Sequence, residues 1–125
     1  MTNTWIEAGT VDEIANCRAK IVCLPGRERV AVFKYDGKVS AVTNVCKHQG
    51  GPLSEGKVIK GCITCPWHGW DYRAEDGCAP PPFIEKLVTY QVKVENRRIL
   101  LNTVPLPAGT RVEPATFEES EHEAR

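Results

Sequence analysis

Apolar residues along much of the chain fall into short runs with the period of β-strands. The runs that carry this pattern are KIVCL (20–24), RVAVFKY (29–35), KVSAVT (38–43), YQVKV (90–94) and RILL (98–101). In the fourth run, Tyr90, Val92 and Val94 share one face of a strand, whereas Gln91 and Lys93 share the other. Runs of this length, rich in valine and isoleucine, predict strands rather than helices.

Turn signals between these runs favour antiparallel pairing. Asp36-Gly37 separates the second run from the third, and this dipeptide is typical of a type I′ hairpin turn. The last run follows a short turn at Asn96-Arg97. Only residues 10–17 resemble a helical turn, with Thr10 or Asp12 as its cap. The pattern therefore predicts an all-β antiparallel sandwich or barrel.

Length and composition narrow the class of protein. The chain has 125 residues, which indicates one domain, and its formal net charge is zero. Zero net charge does not favour a surface for nucleic acid or anionic lipid. No apolar run approaches the ~20 residues that span a bilayer. The N-terminal residues resemble no secretory signal, so we expect a cytoplasmic protein, whose six cysteines are then thiols or metal ligands rather than disulfides.

The composition changes near residue 104. The segment 104–125 contains three prolines and five glutamates. We therefore predict a folded domain over residues 1–103 and a Pro/Glu-rich C-terminal tail over 104–125. A solvated terminus with a mobile end is favoured over a docking segment.

Two segments that lack the pattern of a strand each contain both cysteine and histidine. NVCKHQGGPLSEG (44–56) contains Cys46 and His48, and the second segment (64–70) contains Cys65 and His68. The third histidine of the chain, His122, lies in the acidic tail. Two loops that each offer one thiolate and one imidazole form a four-ligand set for a metal centre.

The residues alone leave two kinds of metal centre open. Four nitrogen and sulfur ligands suit tetrahedral zinc, and Cys62 with Cys65 has the spacing of a zinc knuckle. A [2Fe–2S] cluster also accepts two cysteines and two histidines, with the cysteines on one iron and the histidines on the other.

The two segments resemble the cluster-binding boxes of the Rieske iron–sulfur family. CKHQGGPL and CPWHGW resemble its first and second boxes, and CAPPPF (78–83) resembles its third, proline-containing loop, which covers the cluster. The similarity extends over roughly residues 4–102. It implies a Rieske-type fold, in which an antiparallel sandwich or barrel carries a cluster-binding subdomain made of two loops.

The resemblance also implies a role for each cysteine. Cys46 and Cys65 would bind one iron, and His48 and His68 would bind the other. Cys62 would then be a strand residue before the second box. Three further cysteines match no ligand position and are expected to be small buried hydrophobic residues, namely Cys17, Cys23 and Cys78.

Departures from the respiratory members indicate which branch the chain resembles. Gly51 and Trp67 stand where those proteins have a disulfide, and Trp70 stands where they have a serine that donates to a cluster sulfur. Tyr72 matches their second donor. The chain is thus similar to the soluble Rieske-type ferredoxins that serve aromatic-ring oxygenases. This resemblance implies a non-catalytic one-electron carrier between a flavin-dependent reductase and a terminal oxygenase, with a potential in the lower part of the Rieske range.

Three other functions remain in view. The chain could be the Rieske domain of an oxygenase, but the catalytic iron of such enzymes needs two further histidines and only His122 is unassigned. It could be the small Rieske-like subunit of an assimilatory nitrite reductase. It could also be a zinc-stabilised interaction module, which would be colourless where an iron–sulfur protein is coloured.

Overall fold

The computed structural model describes residues 4–26, 28–45, 51–66, 71–81 and 83–117. Two 3₁₀ helices occur in these ranges, at Val11–Glu13 and Leu53–Glu55. The strands are β1 (Trp5–Thr10), β2 (Arg18–Cys23), β3 (Arg29–Tyr35), β4 (Lys38–Thr43), β5 (Lys57–Ile59), β6 (Cys62–Thr64), β7 (Asp71–Arg73), β8 (Thr89–Tyr90), β9 (Val92–Glu95), β10 (Arg98–Asn102) and β11 (Ala115–Thr116).

The strands form three antiparallel sheets. Two of them make up the body of the protein: one has the order β1-β10-β9, and the other has the order β11-β4-β3-β2 with β8 also paired to β4. The third sheet, β5-β6-β7, is small and separate. The prediction of an all-β antiparallel protein is confirmed.

Strand β3 belongs to two hydrophobic cores at once. Val30 and Val32 lie in the core between the two body sheets, whereas Ala31 and Phe33 lie in the core that the body shares with the small sheet. Because successive side chains point to opposite faces, a strand buried on both faces is apolar throughout. Lys34 is the one lysine in this run, and its ammonium donates a hydrogen bond to the Val11 carbonyl over 2.8 Å.

Most of the predicted strands are confirmed. The runs at 29–35 and 38–43 coincide with β3 and β4, and the run at 20–24 lies within one or two residues of β2. Asp36 and Gly37 have φ angles of 47° and 71°, which are the positive values that a type I′ turn requires.

The fourth run needs a correction. It is divided at Gln91 between β8, which pairs with β4, and β9, which pairs with β10. The predicted faces are nevertheless correct, because Tyr90 and Val92 are buried and Gln91 and Lys93 are exposed. One continuous run therefore passes from one body sheet to the other.

The predicted helical turn is shorter than expected. Only Val11–Glu13 is helical, as a 3₁₀ turn that follows β1, which the sequence pattern did not predict. Thr10 is the residue before the helix, as predicted, and its N–H donates to the Glu13 carboxylate over 3.2 Å.

The described part of the C-terminal segment lies against the domain. Pro114 is buried, and β11 pairs with β4 through Ala115 and Val39. The predicted mobile end, at residues 118–125, lies outside the described residues, and the division at residue 103 stays a prediction. No helix in the described ranges is long and apolar enough to cross a membrane.

Candidate metal centre

The second Cys-His loop leaves the small sheet at one end of its strands. Lys57 of β5 pairs with Thr64 of β6, and Thr64 pairs with Asp71 of β7. The Thr64 hydroxyl donates to the Asp71 carboxylate over 2.8 Å. Cys65 follows Thr64 directly, and the chain re-enters the sheet at Asp71. The second loop, residues 65–70, therefore begins and ends at this end of the sheet.

The first Cys-His loop is closed by Asn44. Its carbonyl accepts a hydrogen bond from the Leu53 N–H over 2.9 Å, and its side-chain oxygen accepts one from the Ser54 N–H over 2.7 Å. We call these two hydrogen bonds the Asn44 clamp. Between the residues that they join, Val45 and Pro52 form an isolated antiparallel bridge. Residues 46–50 are thus bounded on both sides by paired backbone.

The described end of the first loop reaches the end of the small sheet from which the second loop leaves. After the clamp, the 3₁₀ helix Leu53–Glu55 leads through Gly56 into Lys57, which is opposite Thr64. Gly56 lies so close to Thr64 that a β-carbon on Gly56 would collide with the Thr64 carbonyl oxygen. The exit of the first loop therefore lies against the entrance of the second.

Gly56→Ala is expected to disturb this contact and lower the iron content of the purified protein. The φ of Gly56 is −84°, so alanine adds no backbone strain and its whole cost comes from the collision. Overpacking of this kind costs about 1–3 kcal/mol. Urea unfolding and iron analysis would measure both effects.

Gly61→Ala is the matched control for this test. Gly61 has a φ of +78° and nothing within 4 Å of an added β-carbon. Alanine there costs about 1–2 kcal/mol of backbone strain but should leave the iron content unchanged. Equal iron content in the two variants would contradict the importance of the contact at Gly56.

Of the four predicted ligands, the structure describes Cys65. This residue is 1% exposed and belongs to the same core as Leu53 and Tyr72, which are fully buried. Cys46, His48 and His68 lie outside the described residues, as do Trp67 and Trp70. The assignment of these four residues as ligands therefore remains a prediction.

For the other described cysteines, the predicted strand position of Cys62 is confirmed, and the predicted burial needs a correction. Cys62 is a residue of β6, as predicted, and burial, with a smaller effect of the Asp71 carboxylate, raises the pKa of its thiol. The expectation of buried side chains at the other positions is wrong for Cys23, which is exposed on the edge strand β2, whereas Cys17 and Cys78 are partly buried.

The described residues fit an iron–sulfur cluster. Ser54, directly after the first loop, has a buried hydroxyl oxygen without a hydrogen-bond partner in the described part of the chain. Unsatisfied buried hydroxyls are uncommon, and a group that accepts hydrogen bonds near this loop would account for it. Cys65 supplies a buried thiol at the point where the second loop leaves the small sheet. Sequence reasoning missed Asn44, Ser54 and Gly56, because only the tertiary contacts reveal their positions.

Comparison with protein families identifies this arrangement. The model of the Rieske [2Fe-2S] domain family matches residues 4–91. The ferredoxin component of the naphthalene 1,2-dioxygenase/salicylate 5-hydroxylase systems of Ralstonia sp is 32% identical over 102 residues, which cover 81% of this chain and 97% of that protein. Cholesterol 7-desaturase of Xenopus laevis is 42% identical over 73 residues, but the chain spans only 16% of its length.

Solved structures share the fold. One chain of a complex of reduced oxygenase and oxidized ferredoxin in carbazole 1,9a-dioxygenase superposes with a TM-score of 0.75 at 22% identity, covering 84% of this chain and 98% of that chain. A putative NADH-dependent nitrite reductase small subunit from Mycobacterium tuberculosis superposes with a TM-score of 0.71 at 26% identity, covering 82% and 96%. With the exit of the first loop against the entrance of the second at a small antiparallel sheet, and a family match over most of its length, the chain belongs to the Rieske [2Fe-2S] domain family.

Proposed function

We propose that this protein is a one-electron carrier, the ferredoxin component of a ring-hydroxylating oxygenase system. One observation carries the proposal: the chain matches 97% of the length of a ferredoxin component but only 16% of the length of a desaturase. It thus resembles the carrier as a whole and the larger protein in one part only. We infer that the chain transfers electrons and is not itself the catalyst.

We propose that Cys46 and Cys65 bind one iron of a [2Fe–2S] cluster and that His48 and His68 bind the other. Two observations support this set: the exit of the first loop lies against the entrance of the second at one end of the small sheet, and Cys65 is buried there. When bound, such a cluster takes up and releases one electron at a time.

The residues around the loops would hold the ligands in one arrangement. The Asn44 clamp restrains both ends of the first loop, and the Thr64–Asp71 hydrogen bond closes the second. Leu53 and Tyr72 exclude water beside Cys65, since all three share one core. A restrained, dry site limits how far the ligands rearrange when the charge of the centre changes.

We propose a terminal oxygenase as the electron acceptor and a flavin-dependent reductase as the donor. The names of the relative from Ralstonia sp and of the carbazole dioxygenase complex support the oxygenase. A carrier also needs a donor, and a flavin can convert hydride transfer into single-electron steps. We place all three proteins in the cytoplasm, where the six cysteines of the chain would stay reduced, as thiols or metal ligands.

Purified protein is expected to be red-brown and to contain two irons and two sulfides per chain. Its reduced form should give an EPR spectrum with a low average g, because imidazole donates less electron density to iron than thiolate does. Metal and sulfide analysis of anaerobically purified protein checks this result. Zinc without iron would instead support the interaction module.

A second candidate function has one observation in its favour. The likeness to the nitrite reductase small subunit covers 96% of that chain at 26% identity. The two functions differ in what reoxidises the reduced protein. Stopped-flow absorbance with a Rieske-type aromatic-ring oxygenase, its substrate and oxygen should show rapid reoxidation if the chain is a ferredoxin component. Reoxidation only by a nitrite reductase large subunit would favour the second function.

A further inference from the structure

Residues 106–117, here called the C-terminal strap, lie beyond the family match, which ends at residue 91. The strap contacts both parts of the molecule. On the body, Leu106 donates its N–H to the Thr89 carbonyl over 2.9 Å, and Ala115 pairs with Val39 of β4. The strap is therefore fixed to the body near both of its ends.

Between these two attachments, the strap contacts the segment that continues from the small sheet. The Val112 N–H donates to the Glu75 carbonyl over 2.8 Å, and the Arg111 guanidinium lies 3.4 Å from the Glu75 carboxylate. The Gly109 N–H donates to the Leu87 carbonyl over 2.9 Å. Glu75 lies two residues after β7, the strand that the chain enters from the second Cys-His loop.

These contacts involve the hydrophobic core to which Cys65 belongs. Leu87 is fully buried and belongs to the same core as Cys65 and Tyr72. Gly77 lies directly against Leu87, since an added β-carbon there would be 2.9 Å from the Leu87 β-carbon. A shift of Gly77 and Leu87 would therefore disturb the core that contains Cys65.

We propose that the C-terminal strap is a latch: it holds the small sheet against the body and so determines how firmly the two loops retain their metal cluster. This inference rests on the proposed function, because it assumes that the loops bind the cluster. The backbone hydrogen bonds of Gly109 and Val112 join the strap to Leu87 and Glu75, which follow the small sheet in the chain. The pairing of β11 with β4 joins the strap to the body.

Gly109→Ala tests the latch in the full-length, iron-loaded protein. Gly109 has a φ of +84°, and an added β-carbon would lie 2.8 Å from the Lys86 side chain and 3.5 Å from the Cys78 sulfur. We expect iron release to a chelator to be ~5-fold faster. A loss of local stability of about 1 kcal/mol changes the equilibrium for local opening by about that factor. Hydrogen exchange should rise at the amides of residues 73–89 and remain slow in β1 and β10.

Gly26→Ala is the matched control, because Gly26 has a similar φ of +94° but open space around an added β-carbon. It should leave iron release unchanged. Val112→Pro, which removes the N–H that bonds to Glu75, should reproduce the effect of Gly109→Ala.

Four outcomes test the latch and the proposed function. Faster iron release with exchange confined to residues 73–89 supports the latch. Unchanged iron release in both strap variants, or faster exchange spread evenly over the whole protein, overturns it. Wild-type protein without iron would overturn the proposed function instead, so the two failures are distinguishable.

Discussion

Cys65→Ser is expected to yield folded protein without an iron–sulfur cluster. A cysteine thiol loses its proton near pH 8.5 in the absence of other effects and binds metal as a thiolate. A serine hydroxyl does not ionise near neutral pH and is a poor substitute. Cys65 is 1% exposed and follows β6 directly, at the point where the second loop begins. Absorption, iron analysis and sulfide analysis would measure the loss.

Cys62→Ser is the control, because Cys62 lies three residues earlier, at the start of strand β6. Cys62 pairs with Arg73 of β7 and lies at the opposite end of β6 from the two loops. Burial raises the pKa of its thiol, so at neutral pH it is protonated. We expect this variant to retain the full cluster. Loss of iron from Cys62→Ser with iron retained in Cys65→Ser would show that the ligand in this segment has been assigned wrongly.

Leu53→Ala is expected to cause a large loss of stability. Leu53 is fully buried, and it lies in one core with Phe33 of the body and Ile63 of the small sheet. Removing a buried leucine side chain costs about 2–5 kcal/mol, because the lost contacts leave a cavity. Its N–H also closes the Asn44 clamp, so relaxation around this cavity should loosen the first loop.

Denaturant unfolding followed by circular dichroism would measure the change in the free energy of unfolding, and iron analysis would measure the effect on the site. Ile59→Ala is the control, since Ile59 is 54% exposed on the small sheet. Surface substitutions of this kind usually change stability by less than about 0.5 kcal/mol. A similar loss of stability in both variants would contradict a central packing role for Leu53.

Local patterns were sufficient for several elements of the fold. The hairpin of β3 and β4 follows from two apolar runs and one Asp-Gly turn, all within 15 consecutive residues (29–43). The candidate ligands were likewise recognisable from two short Cys-His segments. In both cases the information lies in the spacing of residues close together in the chain.

Other elements had no such local signal. Strands β5, β6 and β7 have three residues each, which is too short for a periodic pattern to appear. Strand β11 has two residues, and its pairing with β4 joins positions about 75 residues apart in the chain. The prolines and glutamates of its surroundings favoured a solvated terminus, whereas Pro114 is buried against the domain.

The sequence by itself determined the class of fold, the hairpin that carries β3 and β4, and the residue types offered to a metal. Only the tertiary structure decided that β3 is buried on both faces, that Asn44 closes the first loop, and that the C-terminal strap contacts the segment that follows the small sheet. The physical reason is the range of the interactions. Periodicity and turn preference act over a few residues, whereas burial, clamping and strand pairing depend on segments that meet only after the chain has folded.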